Sequence, residues 1–187
     1  SNLCCREGGI EFNWQAECLP WVLPEEAASG AKLTNLGHCL GQESLEINGL
    51  APGTYLLTID GQNVGTYDNL QLEQKIELQD NARTPQYQQA LVVAQLNKQR
   101  NEGPVNALRD EWWSFQDYVD ARREAKSHPD SAECRDCLNK AEQQIRHMDQ
   151  RIAEDDVASK KIEDKIFELN QPPMRKYSLV RTTAQAD

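Results

Sequence analysis

Six cysteines, three histidines and several acidic pairs are the residues of this chain whose types could do chemistry. The cysteines stand at Cys4, Cys5, Cys18, Cys39, Cys134 and Cys137. An even count suits disulfides, yet six cysteines permit about fifteen pairings and the sequence selects none. Neighbouring Cys4 and Cys5 are poor partners for each other because the ring would be strained. A zinc site wants four Cys or His ligands, usually as two paired knuckles. Only Cys134-Arg-Asp-Cys137 has that form, and His38, His128 and His147 show no matching spacing, so no metal ligand is assigned. A thioredoxin-type role for Cys134 and Cys137 lacks a surrounding βαβ pattern. Structural disulfide and free thiol both stay open for all six.

A serine hydrolase needs Ser, His and Asp converging on one cleft, with the Ser on a sharp turn. Gly-x-Ser-x-Gly and Gly-Asp-Ser are both absent. His128-Pro129-Asp130-Ser131 has the right residue types but falls in a turn, where consecutive residues cannot converge. His38 beside Cys39 imitates a Cys–His pair, although adjacency in sequence does not place an imidazole on a sulfur. Walker and Gly-x-Gly-x-x-Gly patterns are missing, and Asp155-Asp156 and Glu25-Glu26 lack calcium-loop spacing. Trp112-Trp113 offers one ring to a helix seam, while Trp113 points elsewhere and is a candidate interdomain contact. The expectation is a scaffold with no catalytic residue, cofactor site or metal site of its own.

The elements that would position these groups follow from composition. The chain has 187 residues, net charge −10 and 39% hydrophobic residues, with a mean hydropathy of −0.74. The negative field argues against nucleic acid as partner, and no apolar run approaches the ~20 residues of a membrane helix. Ser1-Asn2-Leu3-Cys4-Cys5 has no signal-peptide pattern, which fits a cytosolic protein or a processed one. Residues 1–83 hold 12 acids against 4 bases, and residues 84–187 hold 18 against 16. The change of charge and pattern predicts a β-rich domain over 1–83 and a helical one over 84–187.

In the first part Ile10–Trp14, Ser44–Asn48, Tyr55–Ile59 and Gln62–Tyr67 read as strands. Asp60-Gly61 between the last two is a strong hairpin signal. Residues 23–40 read as a short helical excursion. In the second, Thr84-Pro85 opens a helix running to about 126. Its seam is Leu91, Ala94, Lys98, Asn101, Val105, Leu108, Trp112, Phe115 and Val119, kinked but not broken at Gly103-Pro104. A second helix over about 131–169 carries Leu138, Ala141, Ile145, Met148, Ile152, Asp155, Ser159, Ile162, Ile166 and Leu169. Folding back at about residue 129 gives arms on the order of 55–60 Å long. It also sets Lys98 and Asn101 against Asp155 and Ser159 as a polar layer that fixes register, with Lys98 near Asp155 or Asp156. A short strand over about 176–181 closes the chain. The predicted class is α+β: a small antiparallel, sandwich-like sheet, then a long antiparallel helical hairpin, then a C-terminal strand.

One stretch carries a resemblance. Leu45-Glu46-Ile47-Asn48-Gly49-Leu50-Ala51-Pro52-Gly53-Thr54-Tyr55-Leu56-Leu57-Thr58-Ile59-Asp60-Gly61, continuing to Tyr67, resembles the segment after the catalytic domain in bacterial SGNH (GDSL-type) hydrolases. Thr84–Ala90, Leu96-Asn97, Arg100-Asn101, Trp112-Trp113 and Pro172–Val180 are similar to later parts of the same proteins, so the likeness runs from about Leu19 onward. The family's Gly-Asp-Ser block, its Gly and Asn oxyanion donors and its Asp-x-x-His pair match no position here, so no catalytic residue is carried over. The resemblance implies a C-terminal accessory region, or a stand-alone relative, of an ester hydrolase that often acts on acylated carbohydrates. It implies the N-terminal catalytic domain of the same precursor as partner, homo-oligomerisation through the hairpin, and a periplasmic or secreted location. The competing expectation is an independent module whose β-domain binds a ligand or glycan and whose helices dimerise.

Overall fold

A computed structural model describes residues 4–6, 9–23 and 25–182; for Cys4–Arg6, Glu25 and Ala28 only the backbone is described. In chain order the elements are β1 (Cys4–Arg6), β2 (Gly9–Trp14), a 3₁₀ turn at Glu25–Ala27, α1 (Ala28–Thr34), α2 (Leu36–Leu40), β3 (Ser44–Leu45), β4 (Thr54–Ile59) and β5 (Gln62–Asp68). There follow α3 (Asn69–Glu73), β6 (Ile76–Glu77), α4 (Pro85–Glu102), α5 (Pro104–Ser127), α6 (Ala132–Gln144), α7 (Met148–Leu169) and β7 (Arg175–Thr182). The fold is α+β, with an antiparallel sheet, long bent helices and a C-terminal strand.

The chain divides into two compact units, residues 1–95 with 167–187, and residues 96–166. The composition break at 83/84 marks where helix begins, whereas the units part at 95/96 and 166/167. The reason lies in β7. It inserts between β2 and β4, so the five-stranded sheet of the first unit has the order β1-β2-β7-β4-β5 with every pair antiparallel.

Local chemistry explains this sheet. Asp60 and Gly61 both have positive φ, 51° and 80°, the backbone a tight β4–β5 hairpin requires. The Asp60 carboxylate accepts from the Lys176 amide at 2.8 Å and from Arg175 Nη1 at 2.7 Å, which pins β7 to the turn. Alternation along β4 buries Tyr55, Leu57 and Ile59, and these meet Tyr177 and Leu179 of β7. Val64, Leu72, Ile76 and Leu78 complete the core. Phe12 stacks on Tyr177 with ring centroids 4.9 Å apart. The two-stranded β3–β6 ladder and α3 lie over the same face. Asp68 opens α3 with a capping box, accepting from the Gln71 amide while Gln71 Oε1 accepts from the Asp68 amide. Residues 23–40 form the short helical excursion, as α1 and α2.

In the second unit the first arm bends at Gly103, where helical hydrogen bonds continue from Gly103 N to Gln99 O and from Ala107 N to Gly103 O, each 3.0 Å. The second arm is broken at 145–147, a break the uninterrupted seam did not announce. His147 takes a left-handed φ of 60° there. Arg151 bridges the gap, donating to the carbonyls of Gln144 (2.9 Å) and Arg146 (2.5 Å) and to both oxygens of Glu111 (2.5 and 2.7 Å). This hydrogen bonding holds the Glu111 carboxyl below the usual carboxylate range.

The arms pair antiparallel, but in a different register from the expected one. Folding about residue 129 would set Arg100 opposite position 158 and Glu111 opposite position 147. Their partners are Glu163 and Arg151, four to five positions further along α7.

The covered face of the first arm is also turned. Seam positions 138 to 166 of the second arm are all shielded, with Ala141 and Ser159 buried. On α5, however, Leu108, Glu111, Ser114, Tyr118, Ala121 and Ala125 are shielded, while Trp112, Trp113 and Phe115 are exposed. Small residues let helices approach closely, and an indole on the seam would hold them apart.

Candidate functional site

The expected polar layer does not assemble. Lys98 is exposed and pairs with Glu102 on its own helix at 3.9 Å, not with Asp155 or Asp156. Asn101 accepts from Arg109 Nη2 at 3.2 Å. Asp155 and Ser159 do lie on the shielded face of α7. On the first arm it is Arg100 that meets α7, paired with Glu163 at 3.5 Å and carrying a buried Nε without a partner. One residue of helix rotation exchanges Lys98 and Asn101 for Arg100. Trp112 is 59% exposed and Trp113 64%, so Trp112 is not a core residue; its ring lies 6.4 Å from Phe115, which lies 6.4 Å from Tyr118.

Cys18, Cys39, Cys134 and Cys137 are free thiols, which removes a disulfide among these four. The side chains of Cys4 and Cys5 lie outside the described residues. His38 joins Glu77, which also accepts from Gln79 Nε2 at 2.7 Å. Those two hydrogen bonds hold the Glu77 carboxyl low. Ser131 of the His128–Ser131 turn is the N-cap of α6, accepting from the Cys134 amide at 3.2 Å. Among the described residues no Ser hydroxyl or Cys thiol is hydrogen-bonded to an imidazole.

Two constellations come together that spacing alone did not reveal. The first is a pocket of about 290 Å³ in the first unit, walled by Trp21, Lys32, Asn35, Gln79, Asp80 and Tyr87. It forms because α1 and α2 meet at Asn35, whose left-handed backbone (φ 49°) reverses the chain, and because the Asp80 carboxylate sits against Gly37. Any side chain at 37 would collide with that carboxylate. An exposed indole, one cation, one anion and two amides in a concavity of this size suit a polar ligand with an apolar face.

Beside it lies a half-buried polar network. Glu43 Oε1 accepts from Gln86 Nε2 at 2.5 Å and from the Tyr177 hydroxyl at 3.5 Å, while Glu43 Oε2 and Gln86 Oε1 are buried without partners. Desolvation pushes the Glu43 carboxyl above the usual range, against the pull of Gln86, Tyr177 and Arg175, and it raises the Tyr177 phenol as well. Arg175 reaches Gln89 Oε1 at 2.6 Å, and Gln89 in turn donates to the carbonyls of Leu169 and Gln171. The network therefore fastens β7 and the start of α4, a structural task.

The second constellation is Glu124, His128 and Cys134, whose carboxylate oxygen, ring nitrogen and sulfur lie within 4.8 Å of one another. A residue pattern searched for zinc knuckles misses it because the donors are a carboxylate and an imidazole one helical turn apart, met by a thiol from the next helix.

No family model matches the chain, and no curated protein matches it. Among solved structures it is similar to one titled a gut microbial diltiazem-metabolizing enzyme, at 27% identity and a TM-score of 0.75. The match takes in 97% of this chain and 45% of that one. The chain thus spans less than half the length of the enzyme it matches. No membrane-length apolar helix occurs among the described residues.

Proposed function

We propose that this chain is the non-catalytic accessory portion of a larger ester hydrolase of the SGNH type, with acylated carbohydrates as the substrate class. The SGNH assignment rests on the sequence resemblance, and the asymmetry of coverage supports only the part of the reading that makes this chain a portion of something longer. Nearly all of the chain matches a protein titled as an enzyme, and more than half of that enzyme has no counterpart here. The exposed Trp112, Trp113 and Phe115 on α5 give the second unit an aromatic surface suited to cover by the catalytic portion, with Trp113 as the expected contact. Self-association through the same helices is the competing use of that surface, and a periplasmic or secreted location follows from the proposed family.

The test is enzymatic. The 187-residue chain should not hydrolyse p-nitrophenyl acetate above the buffer rate, and the reading frame upstream of Ser1 should encode a Gly-Asp-Ser block whose inclusion confers hydrolysis. Turnover by this chain alone, or an upstream sequence without such a block, would refute the proposal.

A second reading is favoured by the pocket at Trp21, Lys32 and Asp80: an independent module that binds a polar ligand, such as a glycan, in the first unit.

A further inference from the structure

Glu124 and His128 lie one turn apart at the C-terminal end of α5, and the His128 Nδ1 to Glu124 Oε1 distance is 3.0 Å. The chain then reverses within a few residues. The Ser131 amide donates to the His128 carbonyl at 3.1 Å, and the Ser131 hydroxyl accepts from the Cys134 amide at 3.2 Å. That turn sets Cys134, in the first turn of α6, beside the pair, so all three donor atoms fall within 4.8 Å of one another. The thiol is half-buried and the other two groups are exposed.

We propose that Glu124, His128 and Cys134 form a binding site for a divalent cation of the zinc class, clipping together the two helices at the tip of the hairpin. Ligand atoms about 2.0–2.3 Å from a tetrahedral zinc lie on the order of 3.3–3.8 Å from each other, so small side-chain rotations suffice to close the set. One sulfur, one nitrogen and one oxygen donor suit a borderline-soft ion, whereas magnesium and calcium demand six or more oxygen ligands. On binding, the cation replaces the thiol proton and takes the place of the direct Glu124–His128 contact. The exposed side leaves the fourth position to water. Cys137, exposed one turn further on, is not among the converging atoms. The thiol is not hydrogen-bonded to the imidazole, whose Nδ1 is instead 3.0 Å from the Glu124 carboxylate, so all three groups are free to turn toward one ion. The inference does not depend on the hydrolase reading.

The experiment titrates the reduced, metal-free 187-residue chain with Zn²⁺ against a chromophoric chelator, and in parallel with Co²⁺ followed by absorbance. One zinc per chain should bind, unaffected by excess Mg²⁺, and cobalt should give a thiolate charge-transfer band. His128→Ala and Cys134→Ser should each weaken zinc binding by at least ~10-fold, the loss typical of damaging even an outer shell of a metal site. Cys134→Ser should also abolish the band, while Cys18→Ser, at an exposed thiol of the other unit, should change neither. Far-UV circular dichroism establishes that the variants are folded, and the unaltered chain decides the matter even if one is not. No saturable binding to the unaltered chain, no charge-transfer band, or binding by the His128 and Cys134 variants as tight as that of the unaltered chain would overturn the site and indicate diffuse attraction to an acidic surface.

Discussion

Leu179→Ala tests whether the last strand is part of the first unit's core. Leu179 is fully buried in β7, opposite Leu57 of β4 on one side and Ile10 of β2 on the other. The substitution removes three carbons, about 2.4 kcal/mol at ~0.8 kcal/mol per buried methylene-sized group. A cavity that the flanking strands cannot fill adds to that, so the expected loss is about 3–4 kcal/mol, within the range for such core truncations. Val180→Ala is the control. Its side chain points to the other face and is 52% exposed, so its cost should stay below about 1 kcal/mol. Urea unfolding followed by circular dichroism gives the global change. Amide hydrogen exchange at Leu57 and Leu179 localises it, because both amides belong to the same sheet and should lose protection together. A Leu179→Ala loss below about 1 kcal/mol, or a loss equal to that of Val180→Ala, would refute the argument that residues 175–182 close this core.

The Glu43 carboxyl, raised by burial, binds its proton more tightly in the folded than in the unfolded state. Its contribution to stability is therefore full below the ordinary carboxylate pKa and declines as pH rises through the raised one. Glu43→Gln should flatten that decline, so its stability relative to the unaltered chain should be greater at pH 8 than at pH 4 in urea titrations; an unchanged difference would show that burial does not raise this carboxyl. For the pocket, quenching of indole fluorescence by a panel of acylated and free oligosaccharides should saturate with the unaltered chain and vanish with Trp21→Ala. Equal quenching in both would exclude that wall as a ligand platform.

Much of the framework was legible in order of residues because its causes are local. The Asp60-Gly61 hairpin needs only two positive φ values. The alternation of Tyr55, Leu57 and Ile59 needs only the strand period, and the shielded face of the second arm was readable from Ala141 through Ile166 by helical spacing. The face of α5 was not. Leu108, Trp112 and Phe115 make as good a stripe as Leu108, Glu111 and Tyr118, and only the close approach permitted by Ser114, Ala121 and Ala125 chooses between them. The break at 145–147 was equally hidden, since its stabilising partner is the Arg151–Glu111 fork across the hairpin.

By itself the order of amino acids determined the α+β class, the hairpin turn, the kink at Gly103 and the two-armed helical segment, all set by interactions between residues a few positions apart. Only the tertiary structure decided that β7 lies between β2 and β4, that Arg100 rather than Lys98 meets the second arm, and that Glu124, His128 and Cys134 converge. Each of those depends on pairings across a chain reversal, where a shift of one residue in register or one step of helix rotation exchanges the side chains that meet.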